Sequence, residues 1–91
     1  MQKSFSLKGE TALITGGGSG LGLGIATCFV QAGARVVLVG RRAEVLKAAA
    51  KKLGRAATVA VYDVTQTDGA EAFIQRVTNR SGPISILVNN A

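Results

Sequence analysis

One octapeptide narrows the choices for this chain more than any other feature: Thr15-Gly16-Gly17-Gly18-Ser19-Gly20-Leu21-Gly22. Before it runs Thr11-Ala12-Leu13-Ile14, a short apolar stretch that reads as a buried strand. After it, Ile25, Ala26, Phe29 and Val30 recur at helical spacing. Glycine reaches positive φ and leaves no Cβ between backbone and ligand. The first turn of a helix carries unpaired N–H groups at the positive end of its dipole. A glycine-rich turn between a strand and a helix is therefore a phosphate site.

The pattern of strand and helix then repeats. The first helix runs from 20 or 21 to 32, and Gly33 stops it. Residues 35–40, Arg-Val-Val-Leu-Val-Gly, form a β-branched second strand. A second helix is predicted over 43–53, with Val45, Leu46, Ala49 and Leu53 on one face and Gly54 after it. The third strand covers 58–62. Thr67 or Asp68 is positioned to cap a third helix whose apolar residues are Ala70, Phe73, Ile74 and Val77. After Gly82-Pro83 the fourth strand covers 84–89. Strands apolar on both faces, alternating with helices, imply a parallel sheet covered on both sides. Right-handed crossovers make it a Rossmann-like, doubly wound α/β sheet of order 3-2-1-4. The first two helices share one face, and the third crosses to the other. The switch point then falls between strands 1 and 4, beside the glycine turn, where ligands bind in such sheets.

Ninety-one residues allow at most one small domain. A hydrophobic share of 47% argues against disorder. No apolar run nears the roughly 20 residues of a membrane helix, and residues 1–9 lack a signal-peptide core. The lone cysteine, Cys28, rules out a disulfide framework and reads as helix packing. These signs point to the cytoplasm and away from a membrane. The net charge of +6 raises nucleic acid as a partner. The cations cluster at Arg35, Arg41, Arg42, Lys47, Lys51, Lys52 and Arg55, without interleaved aromatics. Most of them read as the wet face of a helix, so nucleic acid is not favoured.

Spacing separates the kinds of phosphate turn. A P-loop ends in Gly-Lys-Ser/Thr; here Gly17 and Gly22 have the interval, but Leu23 and Gly24 follow. The Gly-x-Gly-x-x-Gly fingerprint fails in every register between 16 and 25. Thr-Gly-x-x-x-Gly-x-Gly does fit, with Thr15, Gly16, Gly20 and Gly22. Asp63-Val64 closes the third strand, Asn89-Asn90-Ala91 closes the fourth, and Gly40-Arg41-Arg42 follows the second. In these motifs and their order the chain resembles the short-chain dehydrogenase/reductase family, from about Leu7 onward.

The resemblance implies residue roles. Gly16, Gly18, Gly20 and Gly22 would let the turn and first helix approach a pyrophosphate. Ser19 and the backbone of Leu21 would bond phosphate or ribose. Asp63 would accept from the adenine amino group, with Val64 against the ring. Asn90 would tie the fourth strand to the turn and reach the ribose, with Ala91 beside it. Without the resemblance, Asp63 reads as a strand end and Asn90 as a turn residue.

An NAD site places a carboxylate about 20 residues past the glycines, on the ribose hydroxyls. Gly40, Arg41 and Arg42 stand there instead, and an arginine fork suits a 2′-phosphate. NADP(H) is therefore favoured, and NAD(H) remains possible. The competing reading of the two arginines is a solvated helix start.

The family's chemistry uses a serine with Tyr-x-x-x-Lys and an asparagine on a later helix. Tyr62 is the sole tyrosine and Gln66 stands four residues on, so no catalytic residue is assigned. The chain has no histidine and no metal site is expected. The resemblance thus implies the N-terminal, cofactor-binding portion of one Rossmann domain, with the rest of the fold and a homo-oligomer as its protein partners. The intact protein would move hydride between nicotinamide and a ketone or secondary alcohol, of 3-oxoacyl or sugar type. The alternative is a non-catalytic dinucleotide-binding module or sensor.

Overall fold

The computed structural model describes residues 6–90. Their order is β1 (Thr11–Thr15), α1 (Gly20–Gln31), β2 (Arg35–Gly40), α2 (Ala43–Leu53), a 3₁₀ turn (Gly54–Ala56), β3 (Ala57–Val61), α3 (Ala70–Ser81) and β4 (Ile86–Val88). All strand pairs are parallel, and the sheet order is β3-β2-β1-β4. In register, Thr11 pairs with Arg35 and Thr15 with Val39, while Ala12 pairs with Ile86 and Val36 with Ala57.

The strand period of two divides the core into two layers. Ala12, Ile14, Val36 and Leu38 face α1 and α2, where Ala26, Leu46 and Ala49 meet them. Leu13, Val37 and Val39 face the other way, onto Phe73 and Val77 of α3. The two helices on one face and one on the other match the doubly wound expectation. Ile14, Leu38, Leu46, Val36 and Val39 are the largest fully buried side chains. Each removes enough apolar surface from water to contribute about 1.5–3 kcal/mol.

Several boundaries differ from the sequence expectations. β3 starts at Ala57 because Gly54, at φ 86°, ends α2 and a single 3₁₀ turn brings the chain back to the sheet. β4 pairs only over Ile86–Val88 rather than 84–89. At its start Ser85 is bound to the first residue of β1: its N–H donates to Thr11 O at 2.9 Å, and its Oγ accepts from Thr11 N at 3.1 Å. α1 ends at Gln31, with Ala32 as its cap rather than its last residue. Neither Thr67 nor Asp68 caps α3. Gly69, at φ 86°, is the N-cap and makes no side-chain bond, so a backbone turn takes the place of a capping side chain. Cys28 is exposed, not packed, because it lies on the side of α1 away from Ala26.

Candidate functional site

β1 delivers the chain to the carboxyl edge of the sheet, and the glycine turn begins there. Gly16 sits at φ 65°, and its N–H reaches across to Val39 O at 2.9 Å. A Cβ on Gly16 would stand 2.9 Å from Asn90 O. At Gly17 and Gly18 the nearest atoms are side-chain ends: Cβ atoms there would meet Leu38 at 2.8 Å and Val45 at 2.7 Å. The turn is thus pressed onto β2, α2 and the end of β4, and at Gly16 the close atom is backbone, which cannot swing aside.

α1 starts at Gly20, at φ 57°, with Ser19 as its N-cap. Ser19 makes no side-chain capping bond, and the first turn of α1 carries no acidic residue. The leading N–H groups of this helix therefore have neither a capping oxygen nor a side-chain carboxylate beside them, and an anion is favoured there. Around Gly20 a Cβ would find open space, whereas at Gly22 it would collide with Gly16 O and lie 2.7 Å from Asn90 Nδ2. Gly20 faces outward and Gly22 is the contact between helix and turn. Leu21 projects from the same turn and is exposed.

Asn90 holds the back of the turn. Its N–H donates to Thr15 Oγ1 at 2.8 Å, and its Nδ2 lies 3.5 Å from Gly16 O. Thr15 Oγ1 in turn faces Asn89 Oδ1 at 3.2 Å and Val88 O at 3.4 Å. A buried threonine hydroxyl at the end of β1 thereby locks β4 to the glycine turn. The tie expected of Asn90 is present; Ala91 lies outside the described residues.

The cleft above the sheet edge has a volume of about 610 Å³. Gly16, Gly18 and Ser19 line it on one side, Arg41 and Arg42 on a second, and Asp63 and Val64 on a third. Seven residues singled out in the sequence thus converge on one space. The nearest acid in sequence, Glu44, lies in the first turn of α2 and approaches Arg42 Nε at 3.9 Å, both side chains largely exposed. Such a pair is worth little and leaves the arginines available. Arg41 makes no ion pair among the described residues.

Asp63 lies just past β3, in the loop that leads to α3. Its Oδ1 accepts from Thr65 N at 2.9 Å and Thr65 Oγ1 at 2.7 Å. These bonds, with a smaller contribution from the Arg41 charge, hold its carboxyl below the usual carboxylate range. Tyr62, also just outside β3, lines the cleft as well; its ring stacks on Phe73 with centroids 4.3 Å apart, and its hydroxyl donates to Gln66 O at 2.6 Å. Thr65 and Val45 are cleft residues that the sequence reading missed. An Asp-x-Thr spacing was the available signal for Thr65, since threonine two residues after aspartate closes a side-chain turn.

A family model described as short chain dehydrogenase matches residues 10–91. Gluconate 5-dehydrogenase of Gluconobacter oxydans is 43% identical over 90 residues, which are 96% of this chain and 35% of that protein. Among solved structures, L-sorbose reductase from Gluconobacter frateurii, complexed with NADPH and L-sorbose, superposes with a TM-score of 0.88 at 36% identity. It covers 98% of this chain and 35% of its own. The 3-ketoacyl-(acyl-carrier-protein) reductase from Brucella melitensis, complexed with NADH, gives 0.87 at 40% identity, covering 94% and 36%. The chain spans about a third of the length of the proteins it matches.

Proposed function

The chain belongs to the short-chain dehydrogenase family, and on that premise we propose that it forms the cofactor-binding part of an NADP(H)-dependent oxidoreductase. The observation that carries this reading is the cleft itself, with Arg41 and Arg42 where a ribose-binding carboxylate would stand in an NAD site. The residues present suit the group. The glycine turn packs where a Cβ would strike the protein, Gly20 beside it faces open space, and the first turn of α1 offers N–H groups to a pyrophosphate. Arg41 and Arg42 offer planar, charge-assisted donors to a 2′-phosphate. Asp63 offers an ionised acceptor to an adenine amino group, and the exposed Val64 an apolar surface for the ring.

When bound, the nicotinamide supplies or accepts hydride. This chain's residues bind and orient the dinucleotide; none of them is assigned to proton transfer. The reaction of the intact protein would interconvert a ketone and a secondary alcohol. Sugar acids, ketoses and 3-oxoacyl groups are the classes handled by the similar proteins.

The test is a fluorescence titration of the intact protein with NADPH, followed by oxidation of the NADPH in the presence of small ketoses and 3-oxoacyl thioesters. Saturable binding in the micromolar range with turnover on one class is expected. Saturable binding without turnover on any carbonyl would favour the module or sensor. Absence of binding would overturn the reading.

A further inference from the structure

The loop between β3 and α3 is tied down before any ligand arrives. Thr65 places two donors, its N–H at 2.9 Å and its hydroxyl at 2.7 Å, on the same oxygen of Asp63. Gln66 N donates to Asp63 O at 2.9 Å. Tyr62 anchors the same segment from behind, through its hydroxyl to Gln66 O and its ring on the buried Phe73. All of these ties constrain one carboxylate on the wall of the cleft.

A free aspartate on a loop rotates about two side-chain bonds and presents either oxygen. Here Oδ1 is held by two donors, and among the described residues Oδ2 receives none. The oxygen left over is an acceptor with a fixed direction. An aspartate carboxyl is ionised at neutral pH and these bonds lower its pKa further, so it accepts and cannot donate. At position 6 of a purine, adenine offers an amino donor and the 6-oxo bases an acceptor.

We propose that Thr65 is a positioning residue that sets the base selectivity of the cleft, fixing Asp63 to accept from a 6-amino purine and to reject a 6-oxo purine. The inference rests on the dinucleotide reading of the cleft given above. Thr65 acts through Asp63, and its hydroxyl has no need to touch the base. Its role is separable from a merely structural one, because loosening the loop would weaken every dinucleotide alike, whereas misdirecting Oδ2 changes the ratio between bases.

The experiment titrates the intact protein with NADPH and with its hypoxanthine counterpart, in which the purine carries a 6-oxo group, for the wild type, Thr65→Val and Thr65→Ser. The wild type is expected to prefer NADPH by at least about tenfold, and Thr65→Val to narrow that preference about threefold to tenfold, as the loss of one ordinary hydrogen bond in a solvent-screened loop implies. Thr65→Ser keeps both donors and should retain the wild-type ratio. A wild type that binds both dinucleotides equally, or a Thr65→Val protein with an unchanged ratio, would overturn the inference while leaving the cofactor reading intact. A wild type that binds neither would overturn both.

Discussion

Two glycines one helical half-turn apart in α1 should respond to the same substitution with opposite signs. Gly22 is buried against the turn; a Cβ there would strike Gly16 O, a backbone atom that cannot swing aside, and crowd Asn90 Nδ2 at 2.7 Å. Relief requires α1 to move off the turn, which also strains the contact between Asn90 and Gly16 O. Gly22→Ala should therefore cost about 3 kcal/mol, the upper end for overpacking, since no rotamer relieves the clash. Gly24 meets nothing within 4 Å and its φ is not in the positive region. Gly24→Ala should stabilise by about 0.5–1 kcal/mol through the lower entropy of the unfolded chain and better helix propensity. Urea unfolding followed by circular dichroism gives both values, and NADPH titration gives the functional consequence: loss of affinity for Gly22→Ala, little change for Gly24→Ala. A Gly22→Ala protein as stable as the wild type, with unchanged affinity, would refute the steric account of the turn.

Gly20 gives a different signature, because its surroundings are open and its φ is positive. Gly20→Val should lose dinucleotide binding while α1 persists by circular dichroism, since the β-branched side chain occupies the ligand's approach; wild-type affinity would remove Gly20 from the phosphate site. Leu38 is fully buried beneath Gly17 and α2, so Leu38→Ala should cost about 2–5 kcal/mol in urea unfolding. Asp63 has a folded-state carboxyl lowered by its Thr65 bonds. Its contribution is complete above the ordinary carboxylate range and is lost as pH falls through the lowered value. In Thr65→Val the acid-side fall in NADPH affinity should begin at a higher pH, and coincident profiles would count against the assignment. Residues 1–91 expressed alone should self-associate in sedimentation, because among the described residues β4 has a neighbour on one side only and Leu87 and Ile74 are exposed; a cooperative monomer would contradict this.

Much of the fold was legible because each element carries its own period. Apolar runs such as Val36 to Val39 can be buried on both faces only in a sheet covered twice, and the order β3-β2-β1-β4 follows from the handedness of the crossovers. The glycine spacing placed the turn, and Arg41 and Arg42 were found by counting from it. What stayed hidden was set by backbone geometry or by contacts distant in sequence. The cap of α3 is a left-handed glycine rather than Thr67 or Asp68, and nothing in side-chain preference announces that choice. The exposure of Cys28 depends on how α1 is rolled against the sheet, which its three glycines specify weakly. The resemblance implied a tie at Asn90, but that the Thr15 hydroxyl carries it to Asn89 and Asn90, more than 70 positions away, left no trace in local pattern.

On the proposed reading, cofactor choice depends most on Arg41, which lines the cleft and carries no ion pair among the described residues. Affinities for NADPH and NADH should be measured side by side on the wild type and on Arg41→Asp. Losing a charge-assisted phosphate contact is worth about 1.5–3 kcal/mol, roughly a tenfold to hundredfold loss of NADPH affinity with NADH far less affected. The wild type should favour NADPH and the variant should lose or reverse that preference. An NADPH to NADH ratio that is the same in both proteins would contradict the assignment of Arg41 to the 2′-phosphate.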